Sequence, residues 1–237
     1  MKKYIGTKQI EAEPMTMGEA YERGLLQVGR VPDAEYAKRM GYHVKYADGY
    51  ESWSPAEPFE EAYKLADTSL DRMQIEAEEV NGRYVKLAAF IDSGKMDEVV
   101  NDMYNKCLLE MQCCTMFDYI RLLDTRIQRM QGSDGVKVIK MNFGMAIMAL
   151  KAGFPIRRSG WNGKGLMVFK QVPAHIESDI IPKMQSLPQS AKDLILKGKG
   201  FIDYTSQCLI YNENTGRADS WVPSISDVFA EDWEIVV

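Results

Sequence analysis

Trp161 stands in the run Gly160-Trp161-Asn162-Gly163-Lys164-Gly165. A large rigid ring on a glycine-rich turn is costly to leave in water, so this turn favours a partner that stacks on the indole. A second indole, Trp221, lies just before Pro223 and Ser224 at a strand end, where it suits contact as well as core. Arg157, Arg158 and Lys164 bring cations to the same region, and an arginine can grip an oxyanion through two parallel N–H bonds. Arg157 and Arg158 alternate along a strand candidate, so at most one faces a pocket there, and Arg158 is taken as that one. Asp203 and Asp227 can accept bonds from hydroxyl groups or, as a pair, do acid–base work. Asp227 has a second reading, as an acid in the first turn of a short helix opened by Ser224. The amides of Gly163 and Gly165, and the helix start at Phe143-Gly144, offer backbone donors to an anion.

Material for covalent or metal chemistry is scarce. His43 and His175 are the only histidines, too few for a histidine metal centre or triad. Cys107, Cys113, Cys114 and Cys208 show no metal-ligand spacing and read as free, buried thiols of a reducing cytoplasm. No catalytic residue, no metal site and no cofactor is therefore assigned.

Positioning these residues falls to the C-terminal part of the chain. Met141 to Gly153 reads as a helix, N-capped by Asn142, with Gly153 suited to the left-handed residue beyond its end. Phe154 to Ser159 reads as a strand leading into the Trp161 turn, where Asn162-Gly163 is the strongest turn signal. Leu166 to Val172 is the next strand, stopped by Pro173. Ile176 to Leu196 reads as two helical pieces split at Leu187-Pro188, and Phe201 to Tyr211 as one long strand. The turn Asn214-Thr215-Gly216 sends Arg217 to Val222 back as a hairpin. Pro223-Ser224 opens a short helix, and Asp232 to Val237 closes as a strand with Trp233 in its core.

Upstream, Asp67 to Met130 carries helical periodicity. Val80, Tyr84, Leu87 and Ile91 mark one stripe; Val100, Met103, Cys107, Met111 and Cys114, then Ile120, Leu123, Ile127 and Met130, mark another. These predict an antiparallel hairpin with one apolar seam, which two helices alone cannot bury fully. The methionines at helical spacing read as core filler. Earlier still, Lys2 to Glu13 reads as a strand ended by Pro14, and Thr16 with Glu19 as a capping box. Tyr42 to Tyr46 and Tyr50 to Trp53 read as a hairpin around Asp48-Gly49, and a helix follows Ser54-Pro55; Tyr42, Tyr46, Tyr50 and Trp53 either pack across strands, the favoured reading, or form an aromatic binding face. The fold class is α+β: a small α+β module (1–66), a helical hairpin (67–131), a polar linker (132–139) and a mixed antiparallel-sheet domain (140–237).

At 237 residues and 46% hydrophobic composition the chain can bury a substantial core. A net charge of −5 argues against DNA or RNA as a partner. No signal peptide and no run of ~18 apolar residues is present, so no membrane partner is expected and a soluble cytosolic protein is.

One resemblance is specific. Asn142-Phe143-Gly144, Ala149-Leu150-Lys151 and Gly153, then Arg158-Ser159-Gly160-Trp161-Asn162-Gly163-Lys164-Gly165, then Trp221-Val222-Pro223-Ser224, Asp227 and Ala230-Glu231-Asp232-Trp233 follow in order. This pattern, over about residues 140–237, resembles the second type of Thoeris anti-defence protein. The resemblance implies a sponge: a phage protein in the cytoplasm of the infected bacterial host that sequesters glycocyclic ADP-ribose without cleaving it. It further implies a homotetramer with pockets between subunits, and for some members separate sites for cyclic dinucleotides. Trp161 and Trp221 would then stack on the base. Asp203 and Asp227 would bond ribose hydroxyls, and Arg158 or the amides near Phe143, Gly144 and Gly163 would meet phosphate. Asn162 and Ser224 complete the candidate ligand contacts.

The N-terminal motifs Tyr4-Ile5-Gly6-Thr7-Lys8, Glu13-Pro14-Met15 and Tyr50-Glu51-Ser52-Trp53-Ser54-Pro55 resemble a segment met in phage reading frames, and the helical hairpin resembles a phage module. Neither implies an activity. Two other readings stay open: an enzyme that degrades cyclic nucleotides through paired acids, and a protein-interaction scaffold.

Overall fold

The computed structural model describes residues 9–236, so the reading of Lys2 to Lys8 as strand, and the last residue of the closing strand, lie outside the described residues. The protein is α+β, and the chain divides into two compact units that meet in sequence between Glu76 and Ala77.

In the first unit, β1 (Ile10–Thr16), β2 (Met40–Tyr46) and β3 (Glu51–Pro55) form an antiparallel sheet in the order β1-β2-β3. Pro14 does not end β1 but sits inside it, opposite Tyr42. β1 is an edge strand, and a residue without an N–H is tolerated on an edge. Thr16 and Glu19 form the expected capping box on α1 (Met17–Glu22). Asp48-Gly49 makes the hairpin turn, with Gly49 at φ 84°. Trp53 packs with Met15, Met17 and Ala20 and donates to the Met15 carbonyl at 3.0 Å, so this aromatic is core. Tyr42 stacks on Phe59 of α2 (Ala56–Ala62), with centroids 4.1 Å apart.

Helix α3 (Ser69–Asp92) crosses the border. Gly94, at φ 72°, ends the run, and α4 (Met96–Val99) and α5 (Met103–Met130) follow. The ring of Tyr84 in α3 lies 5.6 Å from that of Phe117 in α5. The seam is not the single one read from sequence. Leu123 is buried and Leu109, Met116, Ile120 and Ile127 are half-buried, whereas Met103, Cys107, Met111 and Cys114 are exposed. The step of six residues from Cys114 to Ile120 turns the helix ~240° further, so the two halves of the periodicity fall on different sides. The expectation of buried cysteines fails for Cys107 and Cys114 for the same reason, as both are exposed; Cys113 of α5 and Cys208 of β8 are half-buried.

The stretch 132–139 is held in place. Arg129 donates to the carbonyls of Asp134 and Val136, and Val138 is buried in the C-terminal core. That core lies under α6 (Phe143–Lys151), which packs on a five-stranded antiparallel sheet. Its strands are β4 (Ile156–Arg158), β5 (Leu166–Lys170), β8 (Cys208–Asn212), β9 (Arg217–Ser220) and β10 (Trp233–Ile235), in the order β10-β4-β5-β8-β9.

A second sheet pairs β6 (Ala174–Ile176) with β7 (Ile202–Tyr204). The single strand expected over Phe201 to Tyr211 is thus two, because the chain leaves one partner and joins another between Tyr204 and Cys208. Helix α7 (Gln189–Lys197) is the second of the two expected helical pieces; the first is only a 3-10 turn at Ile181–Lys183, where Pro182 lacks an amide donor. Helix α8 (Ile225–Val228) precedes β10. Among the described residues no helix is long and apolar enough to cross a membrane, and no cluster of metal-ligating side chains occurs.

Candidate functional site

Asn142 accepts from the Met145 amide at 3.0 Å and starts α6 at Phe143. Gly153, at φ 90°, ends it where a residue with a Cβ would be strained. Phe143 and Ile147 therefore project from the first turns of α6. Opposite them, β5 ends at Lys170, which the register sets against Cys208 at the start of β8. The Trp221 amide donates to the Cys208 carbonyl at 2.9 Å and brings that indole to the same place. Together with Ser206, Gln207 and Pro223 these residues line a cleft of 330 Å³. Gln207 donates to Gln171 at 2.7 Å and stiffens the rim. Beneath lies Trp233, fully buried, with the Phe143 ring at 5.7 Å and the Trp221 ring edge-on at 6.1 Å.

Other expected site residues form a neighbouring cluster of a different kind. Arg158 donates to Asp232 at 2.7 Å and to Asp227 at 3.0 Å. Trp161 is half-buried; its indole N–H donates to Asp227 at 3.1 Å and its ring meets Trp233 edge-on at 5.4 Å. Ser224 N-caps α8 and donates to Asp227 through both its hydroxyl and its amide. The Asp232 carboxylate accepts from the Gly160 amide at 2.8 Å, and a Cβ on Gly160 would lie 2.5 Å from that carboxylate, so a side chain there would displace it. Here cation, acid and indole answer one another and fix the Trp161 turn against α8 and β10. Asn162 and Gly163 are exposed in that turn, and Gly144 is exposed on α6. Asp203 is elsewhere, on β7, paired with His175, whose pKa it raises.

Burial pushes the Asp227 carboxyl up, but the bonds from Ser224, Arg158 and Trp161 outweigh it and hold the pKa at about 2. Asp232 is likewise lowered against its burial by Arg158 and the Gly160 amide. A carboxyl whose folded value lies below its unfolded one stabilises the fold fully above the unfolded value, and that contribution is lost as pH falls through the folded value. The C-terminal domain is therefore expected to lose on the order of 2 kcal/mol between about pH 4 and pH 2. Urea midpoints measured across that window check it, and Asp227→Asn should be weaker at neutral pH and flatter below pH ~4.

Residues 141–236 match the model of the Thoeris anti-defense 2-like domain, and residues 67–129 match that of Sequestin. Thoeris anti-defense 2 of Bacillus phage SP01 is 34% identical over 102 residues, which cover 96% of that protein and 41% of this chain. The chain belongs to the Thoeris anti-defense 2-like family. The cleft and the Arg158 cluster both lie inside the Thoeris anti-defense 2-like domain. Of the residues singled out in that domain from sequence, Phe143 and Trp221 line the cleft, while Arg158, Trp161, Ser224 and Asp227 are joined to one another. Sequence reasoning missed Ile147, Lys170, Gln207 and Cys208. The missing signal was long-range: Lys170 and Cys208 become neighbours only once β5 and β8 pair.

Proposed function

We propose that this chain binds and sequesters a cyclic nucleotide immune signal, glycocyclic ADP-ribose in the first instance, and releases it unchanged. It does so as a phage anti-defence protein in the cytoplasm of the infected bacterial host. The observation that carries this reading is the cleft of the family-matched domain, walled by Phe143 and Trp221 with Lys170 at its edge. Two rings suit a purine, which stacks with ~1–3 kcal/mol per contact. Lys170 and the amides at the start of α6 suit a pyrophosphate. Asp203 and Asp227, the pair that acid–base cleavage would use, have separate partners in separate elements, which favours holding over cutting.

At 330 Å³ the cleft is small for a ligand site (~300–1,000 Å³), in keeping with a pocket completed by a second chain. Val222, Ile225 and Phe229 are almost fully exposed beside it in sequence, and a homotetramer that buries them accounts for their apolar character. Cyclic dinucleotides are a second ligand class to include in any panel. Calorimetric titration of the full chain tests the reading: saturable heat with glycocyclic ADP-ribose is expected, and no heat with any cyclic nucleotide would refute it.

A further inference from the structure

Helix α5 carries a second apolar stripe, formed by Tyr104, Leu108, Met111, Tyr119 and Leu122, with Thr115 at its middle and Arg126 at its end. All seven are exposed. At ~100° per residue they fall within about 80° of arc, next to the covered side that holds Leu109, Ile120, Leu123 and Ile127 and centred about 110° from it. Their spacing is the same read forward or backward from Thr115. A helix with that property can meet an antiparallel copy of itself about a two-fold axis, each stripe filling the other. Leu108 then meets Leu122 of the second copy, Met111 meets Tyr119, and Tyr104 meets the Arg126 guanidinium, which can lie over its ring. Thr115, small and already bonded to the Met111 carbonyl at 2.8 Å, sits on the axis and lets the backbones approach.

Tyr104 is 70% exposed, Met111 60%, Leu108 42%, and Tyr119 and Leu122 38% each. At ~200 Å² for a fully exposed large side chain, two copies hold at most about 1,000 Å² of exposed apolar surface on these stripes, the lower limit for a specific interface. We propose that α5 pairs antiparallel with α5 of a second copy of this chain, centred on Thr115. This contact lies outside the Thoeris anti-defense 2-like domain and needs no ligand.

Sedimentation equilibrium of the full chain reads it. The variant L108E/L122E should sediment at half the mass of the wild type, with unchanged helical circular dichroism. Register is read separately, in a chain whose four native cysteines are replaced by serine. There Thr115→Cys should cross-link to its own copy through a short bismaleimide, and Glu110→Cys, off the stripe, should not. An assembly whose mass survives L108E/L122E, or a Thr115→Cys chain that does not cross-link, overturns the proposal.

Discussion

Trp233→Ala is expected to destabilise the C-terminal domain by about 4 kcal/mol, a large fraction of the ~5–15 kcal/mol that holds a domain together. Trp233 is fully buried, and three aromatic rings close on it: Phe143, Trp161 and Trp221. Truncation loses the burial of the ring and leaves a cavity that α6 and the sheet cannot both relax into, at roughly 3–5 kcal/mol. Aromatic pairs add ~0.5–1.5 kcal/mol each beyond area. The indole N–H also donates to the Asp227 carbonyl at 3.1 Å, so its loss removes a bond from α8. Met141 bonds the Trp233 backbone in both directions, at 2.8 and 3.1 Å, and ties the start of α6 to β10 at the same point. Urea unfolding followed by far-ultraviolet circular dichroism measures the loss. A decrease under ~1 kcal/mol would show that the ring is not the centre of this core.

Trp221→Ala is expected to weaken glycocyclic ADP-ribose binding by roughly 5- to 150-fold, the equivalent of one base–aromatic stack of ~1–3 kcal/mol. Trp221 is half-buried and presents the rest of its ring to the cleft. Phe143→Ala should act in the same direction. Trp161→Ala makes the contrast. Its N–H is on Asp227 and its ring on Trp233, so its main cost should fall on stability, read in the unfolding midpoint before the binding constant. Calorimetry on folded Trp221→Ala, beside denaturation of Trp161→Ala, separates the two roles. If Trp161→Ala abolished binding with its melting unchanged, the assignment would be reversed.

Local rules made much of this legible. Asn142 and Gly153 bound α6 because a cap and a left-handed glycine act within one turn. The same holds for the capping box at Thr16, for Ser224 as the residue that opens α8, and for the hairpins at Gly49 and Gly216. Other features needed distant partners. β6 is three residues long, too short for alternation to appear, and it exists because β7 pairs with it. α5 has apolar residues on two sides, and periodicity alone does not say which side is covered.

The site shows the same division. Arg158, Trp161 and Asp227 were found by residue type, but type could not show that they answer one another or that Asp232 joins them. Phe143 and Trp221 were found and share a cleft; Lys170 and Gln207 reach it only through the ladder between β5 and β8.

A sponge holds its ligand and leaves it intact. The decisive experiment incubates the purified protein with glycocyclic ADP-ribose in large molar excess, samples free ligand over time, then heats the protein fraction and weighs what is released by mass spectrometry. Uptake should stop at a fixed ligand-to-protein ratio, and the heated fraction should return the starting molecule. Continued loss of ligand with a cleaved product accumulating beyond that ratio would contradict it.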